Sequence, residues 1–107
     1  APATVAAANP TPSTPPDFAL HQNYPNPFNP TTTIKYDLAE SGTVELRIYN
    51  AAGQVVRTLV KGPEAAGRYA IQWDGKDERD VSVSSGMYFY RLTTENFQSV
   101  KKLILIK

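Results

Sequence analysis

The stretch IKYDLAESGTVELRIY, residues 34–49, decides the fold. In its first half Ile34, Tyr36 and Leu38 alternate with Lys35 and Asp37, and in its second Val44, Leu46 and Ile48 alternate with Glu45, Arg47 and Tyr49. Successive side chains of a β-strand point to opposite faces, so a period of two gives one apolar and one polar face; a helix would need apolar residues three and four apart. Glu40-Ser41-Gly42 between the halves carries turn residues. The stretch reads as two strands, each with one buried face, separated by a turn.

The same period extends outward. Tyr69, Ile71 and Trp73 alternate with Ala70 and Gln72, and turn signals fall at Asn50-Ala51-Ala52-Gly53, Lys61-Gly62-Pro63 and Asp74-Gly75. No window of about a dozen residues keeps a helical stripe. Short strands with turns every eight to twelve residues predict an all-β, two-sheet antiparallel sandwich of about seven strands. Two segments are apolar on both faces. In one, Tyr88, Tyr90 and Leu92 lie opposite Met87, Phe89 and Arg91; in the other, Val100, Ile104 and Ile106 with Lys102 lie opposite Leu103 and Leu105 with Lys101 and Lys107. The preferred expectation is central strands covered on both sides, with the Tyr88 face inward in the first. An apolar strip held for a partner, including self-association through Met87 and Phe89, is the alternative.

Composition changes near residue 17. Residues 1–16 (APATVAAANPTPSTPP) carry neither charge nor aromatic ring, so they cannot bury enough apolar surface to offset their ordering entropy. They are expected to form a flexible, disordered Pro/Ala/Thr-rich linker, with residues 17–107 as the folded domain. A proline-rich ligand for a recognition module is the sharper reading, but no PxxP there is flanked by a basic anchor. The chain starts at Ala1 without a visible signal peptide, so it is expected to be continuous with a larger N-terminal parent.

The 107 residues give room for one domain, and eleven Lys and Arg against ten Asp and Glu leave a charge of +1. That charge draws in neither nucleic acid nor an anionic membrane. There is no cysteine, and His21 is the single histidine, so thiolate chemistry and His-rich metal sites are unavailable. A Ser-His-Asp triad would hang on His21, beside a proline-rich segment with no nucleophile elbow; a solvated or capping histidine is preferred. No catalytic site and no cofactor are expected. Asp74, Asp77 and Asp80 fall three apart on one loop and are a weak calcium candidate, but Lys76 and Arg79 sit between them and aspartates equally serve turns. For sugar stacking, Tyr24, Phe28 and Tyr49 are freer than Tyr69, Trp73, Tyr88 and Tyr90, which the alternation assigns to the core.

The most unusual stretch is Asn23-Tyr24-Pro25-Asn26-Pro27-Phe28-Asn29-Pro30. Its prolines fit neither a helix nor a central strand. It reads as a stiff ribbon along a sheet edge with Tyr24 and Phe28 packed beneath, a cap that would suppress edge-to-edge aggregation.

Here a family resemblance enters. Leu20 to Pro30, followed by Thr33-Ile34-Lys35-Tyr36, resembles the opening of the C-terminal sorting domain of type IX secretion cargo and of the related immunoglobulin-like domain of the flagellar hook-capping type. The similarity continues through Val44 to Asn50, Gly53 to Leu59, Trp73-Asp74-Gly75-Lys76-Asp77, Ser85 to Leu92 and Lys101 to Lys107. In order, these cover the chain from about Phe18 to its end. The family usually has glycine where Asp80 stands, and if that position needs φ > 0, aspartate tolerates it better than most residues but not freely.

The resemblance implies an immunoglobulin-like, non-catalytic module. It would direct a secreted parent through the outer-membrane type IX translocon of a Gram-negative bacterium, via the periplasm, to the cell surface or the medium. In the family a sortase-like cysteine protease removes the domain, by analogy here between Ala1 and Asp17. Recognition is expected at the terminal segment Lys101, Lys102, Leu103, Ile104, Leu105, Ile106 and Lys107, with Gly86 and Tyr88 supporting it. A carbohydrate-binding module that holds a hydrolase on its polysaccharide, or a passive spacer, are the alternatives.

Overall fold

The computed structural model describes residues 14–107. Most of the expected 1–16 linker therefore lies outside the described residues. Seven strands follow one another: β1 (Ala19–Leu20), β2 (Thr32–Leu38), β3 (Gly42–Asn50), β4 (Val55–Glu64), β5 (Gly67–Trp73), β6 (Gly86–Thr93) and β7 (Gln98–Leu105). They form two antiparallel sheets, one of three strands ordered β1-β2-β5 and one of four ordered β4-β3-β6-β7. This is the two-sheet sandwich that the alternation predicts and the immunoglobulin-like fold that the resemblance implies.

The core is built on the predicted inward faces, joined by Leu103 and Leu105, whose face the alternation left open. Ile34, Tyr36, Leu38 and Trp73 from the smaller sheet meet Val44, Leu46, Ile48, Tyr88, Tyr90, Leu92, Leu103 and Leu105 from the larger, all buried. Each such side chain contributes roughly 1.5–3 kcal/mol when removed from water. Aromatic contacts tie the sheets together: the Trp73 ring lies 5.6 Å from both Phe28 and Tyr88. Tyr69 and Ile71 are only half-buried, because β5 is an edge strand whose flank no further strand covers.

Two expectations are corrected. The terminal strand β7 is not a central strand covered on both sides; it is the edge of the larger sheet, with Leu103 and Leu105 inward and Val100 53% exposed outward. β6 is central within its sheet, yet its outer face is uncovered and Met87 is 45% exposed. The reason is architectural: two layers give each sheet one inner face, and no third layer of described chain lies over the outer one. Tyr24 is the other correction. Phe28 is buried beneath the ribbon as expected, which removes it from any sugar-stacking role, but Tyr24 is 80% exposed. The main chain of Tyr24 pairs with Thr33 in both directions, at 2.9 and 3.0 Å, while its side chain stays in solvent.

Candidate functional site

The proline-rich ribbon and the terminal strand meet across the whole length of the sequence. The Phe28 N–H donates to the Ile104 carbonyl at 2.9 Å, and the Ile106 N–H donates to the Phe28 carbonyl at 3.0 Å. Asn26 Oδ1 accepts from the Ile104 N–H at 3.0 Å, and Gln22 Nε2 donates to the Lys102 carbonyl at 2.7 Å. The Lys102 carbonyl, both backbone groups of Ile104 and the Ile106 N–H are thereby taken up, and over this part of its length β7 is blocked from templating another strand. Phe28, wedged against Trp73, holds the ribbon down. Further back along the ribbon, the Phe18 ring stacks on Phe97 at 5.6 Å beside the β6–β7 turn.

Tyr90 fastens the start of the ribbon. Its hydroxyl donates to the His21 carbonyl at 2.6 Å and accepts from the Asn23 N–H at 2.8 Å. Burial pushes this phenol up to about 12, against a smaller opposing effect of the Asn23 N–H. Asn23 is itself buried and donates to Thr32 Oγ1 at 2.9 Å, while the Thr32 hydroxyl donates to the Pro25 carbonyl at 2.8 Å. The prolines supply no N–H of their own, and the Asn23 and Thr32 side chains satisfy the Pro25 carbonyl instead.

The opposite edge, β4, is capped at Val56 and Thr58 by a different device. The Glu78 N–H donates to the Val56 carbonyl at 3.1 Å, and the Glu78 carboxylate accepts from the Thr58 N–H at 3.1 Å. This loop starts at Trp73-Asp74-Gly75, where Trp73 Nε1 donates to the Lys76 carbonyl at 2.9 Å. Gly75 has φ +75°, and a Cβ there would meet Leu105 and the Pro30 carbonyl, each at 3.6 Å. Asp74 accepts from the Lys76 N–H, and Asp77 accepts from the Arg79 and Val81 N–H groups at 2.9 and 3.0 Å. The hydrogen bond from Val81, then that from Arg79 with the charges of Arg79 and Arg57, hold the Asp77 carboxyl below its usual range. Asp80 lies in the left-handed region at φ +66°, as its place in the family pattern implies. Among the described residues no group of three or more carboxylates or histidines could hold a metal ion. The three aspartates instead serve the turn.

The outer face of the larger sheet is the surface left for recognition. Cross-strand register sets Met87 against Ile104, Phe89 against Lys102 and Arg91 against Val100, with Tyr49 beside Phe89 and Arg47 beside Arg91. The Arg91 guanidinium lies 4.9 Å from the Tyr49 ring centroid and donates to its hydroxyl. Glu45 pairs with Arg47 at 2.9 Å. Of the expected recognition residues, Lys102, Ile104, Ile106 and Lys107 are exposed, Lys101 is half-buried, and Leu103 and Leu105 are core. Gly86 and Tyr88 belong to the scaffold. Gly86 has φ +152° with open space where a Cβ would stand, so its conformation and not crowding favours glycine. Tyr88 donates to the Ser84 carbonyl at 2.7 Å and meets Trp73 edge-on. His21 lies on the surface, 3.2 Å from Asp37, with no serine in that contact. Sequence reading missed the Asn23–Thr32–Tyr90 network and the Glu78 cap, because each joins residues distant in the chain with no local spacing to mark them.

These features define an immunoglobulin-like β-sandwich module whose larger sheet is capped along part of each edge. The FlgD Ig-like domain family matches residues 27–97, and the chain belongs to that family. No curated protein matches the chain. Among solved structures, FlgD from P. aeruginosa is 28% identical with a TM-score of 0.54, over 69% of this chain and 57% of that one. Dimeric latent PorU from Porphyromonas gingivalis is 22% identical with a TM-score of 0.63, over 79% of this chain and 9% of that one. PorZ of the same organism, an essential bacterial surface component of its type IX secretion system, is 17% identical with a TM-score of 0.52, over 84% of this chain and 11% of that one. The likeness to PorU and PorZ is one of fold. This chain spans about a tenth of each and little more than half of FlgD.

Proposed function

We propose that the domain is a non-catalytic C-terminal sorting module, which directs a secreted parent through the type IX outer-membrane translocon to surface attachment or release. The observation that carries this reading is the disposition of β7. Its inner face and its edge are locked by the core and the ribbon, while Val100, Lys102, Ile104 and Ile106 stand outward in a fixed row that ends at the exposed Lys107. A receptor would read that row on the folded domain. The motif order from Leu20 to Lys107 and the shared fold of PorZ, a surface component of such a system, support the same reading. On this reading the translocon and a sortase-like protease are its partners, and the cell surface or medium its destination.

The FlgD relationship favours a second reading, a structural module with no export role of its own. A secretion assay separates the two. The chain is fused behind an exported fluorescent protein in a type IX-competent host, and signal is followed in periplasm, surface and medium. Deleting residues 103–107 would remove core leucines, so the informative variants are Lys102→Glu and Ile104→Glu, each checked by thermal melt. Surface signal that is lost in a translocon-deficient strain, and reduced in folded outer-face variants, is expected for a sorting module. Signal confined to the periplasm with a folded domain overturns that function.

A further inference from the structure

The outer face of the larger sheet is charged unlike the rest of the molecule. Cross-strand register gathers Arg47, Arg91, Lys61 and Lys102 on it against one acid, Glu45, in a chain whose total charge is +1. Arg47 and Arg91 stand opposite each other, a like-charge pair that costs energy in a sheet. Glu45 offsets Arg47 at 2.9 Å, and the Arg47 Nε has no hydrogen-bond partner. Among the described residues no carboxylate pairs with Arg91, Lys61 or Lys102. The Arg91 guanidinium is instead held over the Tyr49 ring, 4.9 Å from its centroid, and donates to the neutral hydroxyl. Its charge is thus oriented but not neutralised, and its planar fork suits a carboxylate. Beside it lies a depression of about 290 Å³, lined with apolar surface by Phe89 and Val100 and walled by the β3–β4 turn from Asn50 to Gly53. That turn is fixed locally, because Asn50 Oδ1 accepts from the Ala52 and Gln54 N–H groups at 3.0 and 2.9 Å.

We propose that this depression takes an acidic, apolar segment of a partner protein, with a carboxylate on Arg91 and an adjoining apolar side chain against Phe89 and Val100. Lys102, in register with Phe89, adds to the same charge preference. A second copy of the chain would set this cationic face against itself. A phosphodiester, in a lipid or a nucleic acid, would satisfy the charge but leave the apolar lining uncovered. An acidic and apolar protein segment meets both. The site adjoins the β7 row and stands whether or not the domain sorts a parent, because it needs only a complementary surface.

The test titrates the full 107-residue chain with a short peptide of alternating Glu and Leu, followed by amide NMR shifts, beside its Gln/Leu and Lys/Leu counterparts. Saturable shifts at Tyr49, Phe89 and Arg91 are expected with the acidic peptide alone, weakening as salt rises. Arg91→Gln should weaken binding roughly tenfold. Lys102→Glu, at an exposed side chain, should weaken it too, with the fold checked by thermal melt. Lys35→Glu makes the same charge change on the smaller sheet and should leave binding within about twofold. No shifts at millimolar peptide, equal shifts with the Gln/Leu peptide, or binding unchanged in folded Arg91→Gln and Lys102→Glu overturns the proposal. So does sedimentation with phosphatidylcholine–phosphatidylglycerol vesicles that fails in Arg91→Gln, which would assign the face to a lipid surface. A folded domain that binds the acidic peptide but stays periplasmic in the secretion assay loses the sorting function and keeps this site.

Discussion

The two edges of the larger sheet are capped, each over part of its length, by unlike devices. At β7 a ribbon from the start of the domain lays its backbone along the strand and is pinned by Phe28, buried in the core, and by the Tyr90 hydroxyl. At β4 a surface loop supplies one backbone bond and one carboxylate, from a residue exposed to solvent. The first cap is part of the core and should open only when the core does. The second rests on the surface and should open locally, at small cost to the whole. Closure of an edge and global stability are thus coupled at one side of the sheet and nearly independent at the other.

Phe28→Ala tests the coupling most severely. Losing a buried ring against Trp73 is expected to cost about 3–5 kcal/mol, measured by urea unfolding, and the Ile104 and Ile106 amides should lose exchange protection with it. Tyr90→Phe keeps the ring but strands the Asn23 N–H and the His21 carbonyl, so about 1–3 kcal/mol should be lost. The same variant carries a pH readout. Burial raises the Tyr90 phenol above the ordinary tyrosine value to about 12, so its contribution is complete below pH ~10 and fades as the pH rises from ~10 toward ~12, where the unfolded chain ionises first. Denaturation midpoints across that window should fall less steeply in Tyr90→Phe than in the parent chain. A parallel decline in the two would sever the link between this hydroxyl and the ribbon.

At the other edge the effects should be smaller. Glu78→Ala removes the acceptor of the Thr58 N–H, and a loss of about 0.5–1.5 kcal/mol is expected, with faster exchange at Thr58 and none at Ile104. A loss as large as that of Phe28→Ala would break the comparison. Asp80→Gly is expected to raise stability slightly, by about 0.5 kcal/mol, since a left-handed conformation costs aspartate energy that glycine does not spend, partly offset by the entropy of the more flexible chain. A thermal melt that instead falls would mean that the 4.0 Å approach of Asp80 to Arg57 outweighs the backbone term.

The alternation in IKYDLAESGTVELRIY determined by itself that this is a β-protein and which side chains face inward: Ile34, Tyr36, Leu38, Val44, Leu46 and Ile48 are all buried. That follows from local geometry, because a strand's period of two is a property of consecutive residues. Sequence also marked the stiff ribbon, and the family resemblance marked the place of Asp80, since proline and positive φ act on single backbone positions. The fate of Leu103 and Leu105 against Val100 and Ile104 was not legible, because both faces are apolar and only the opposing sheet selects one. Nor was the exposure of Tyr24, or the unlike caps on the two edges of the larger sheet. Those depend on which distant segments meet, as when Asn26 reaches Ile104 across 78 positions, and a contact of that range is fixed by the assembled sandwich and by no pattern within either segment.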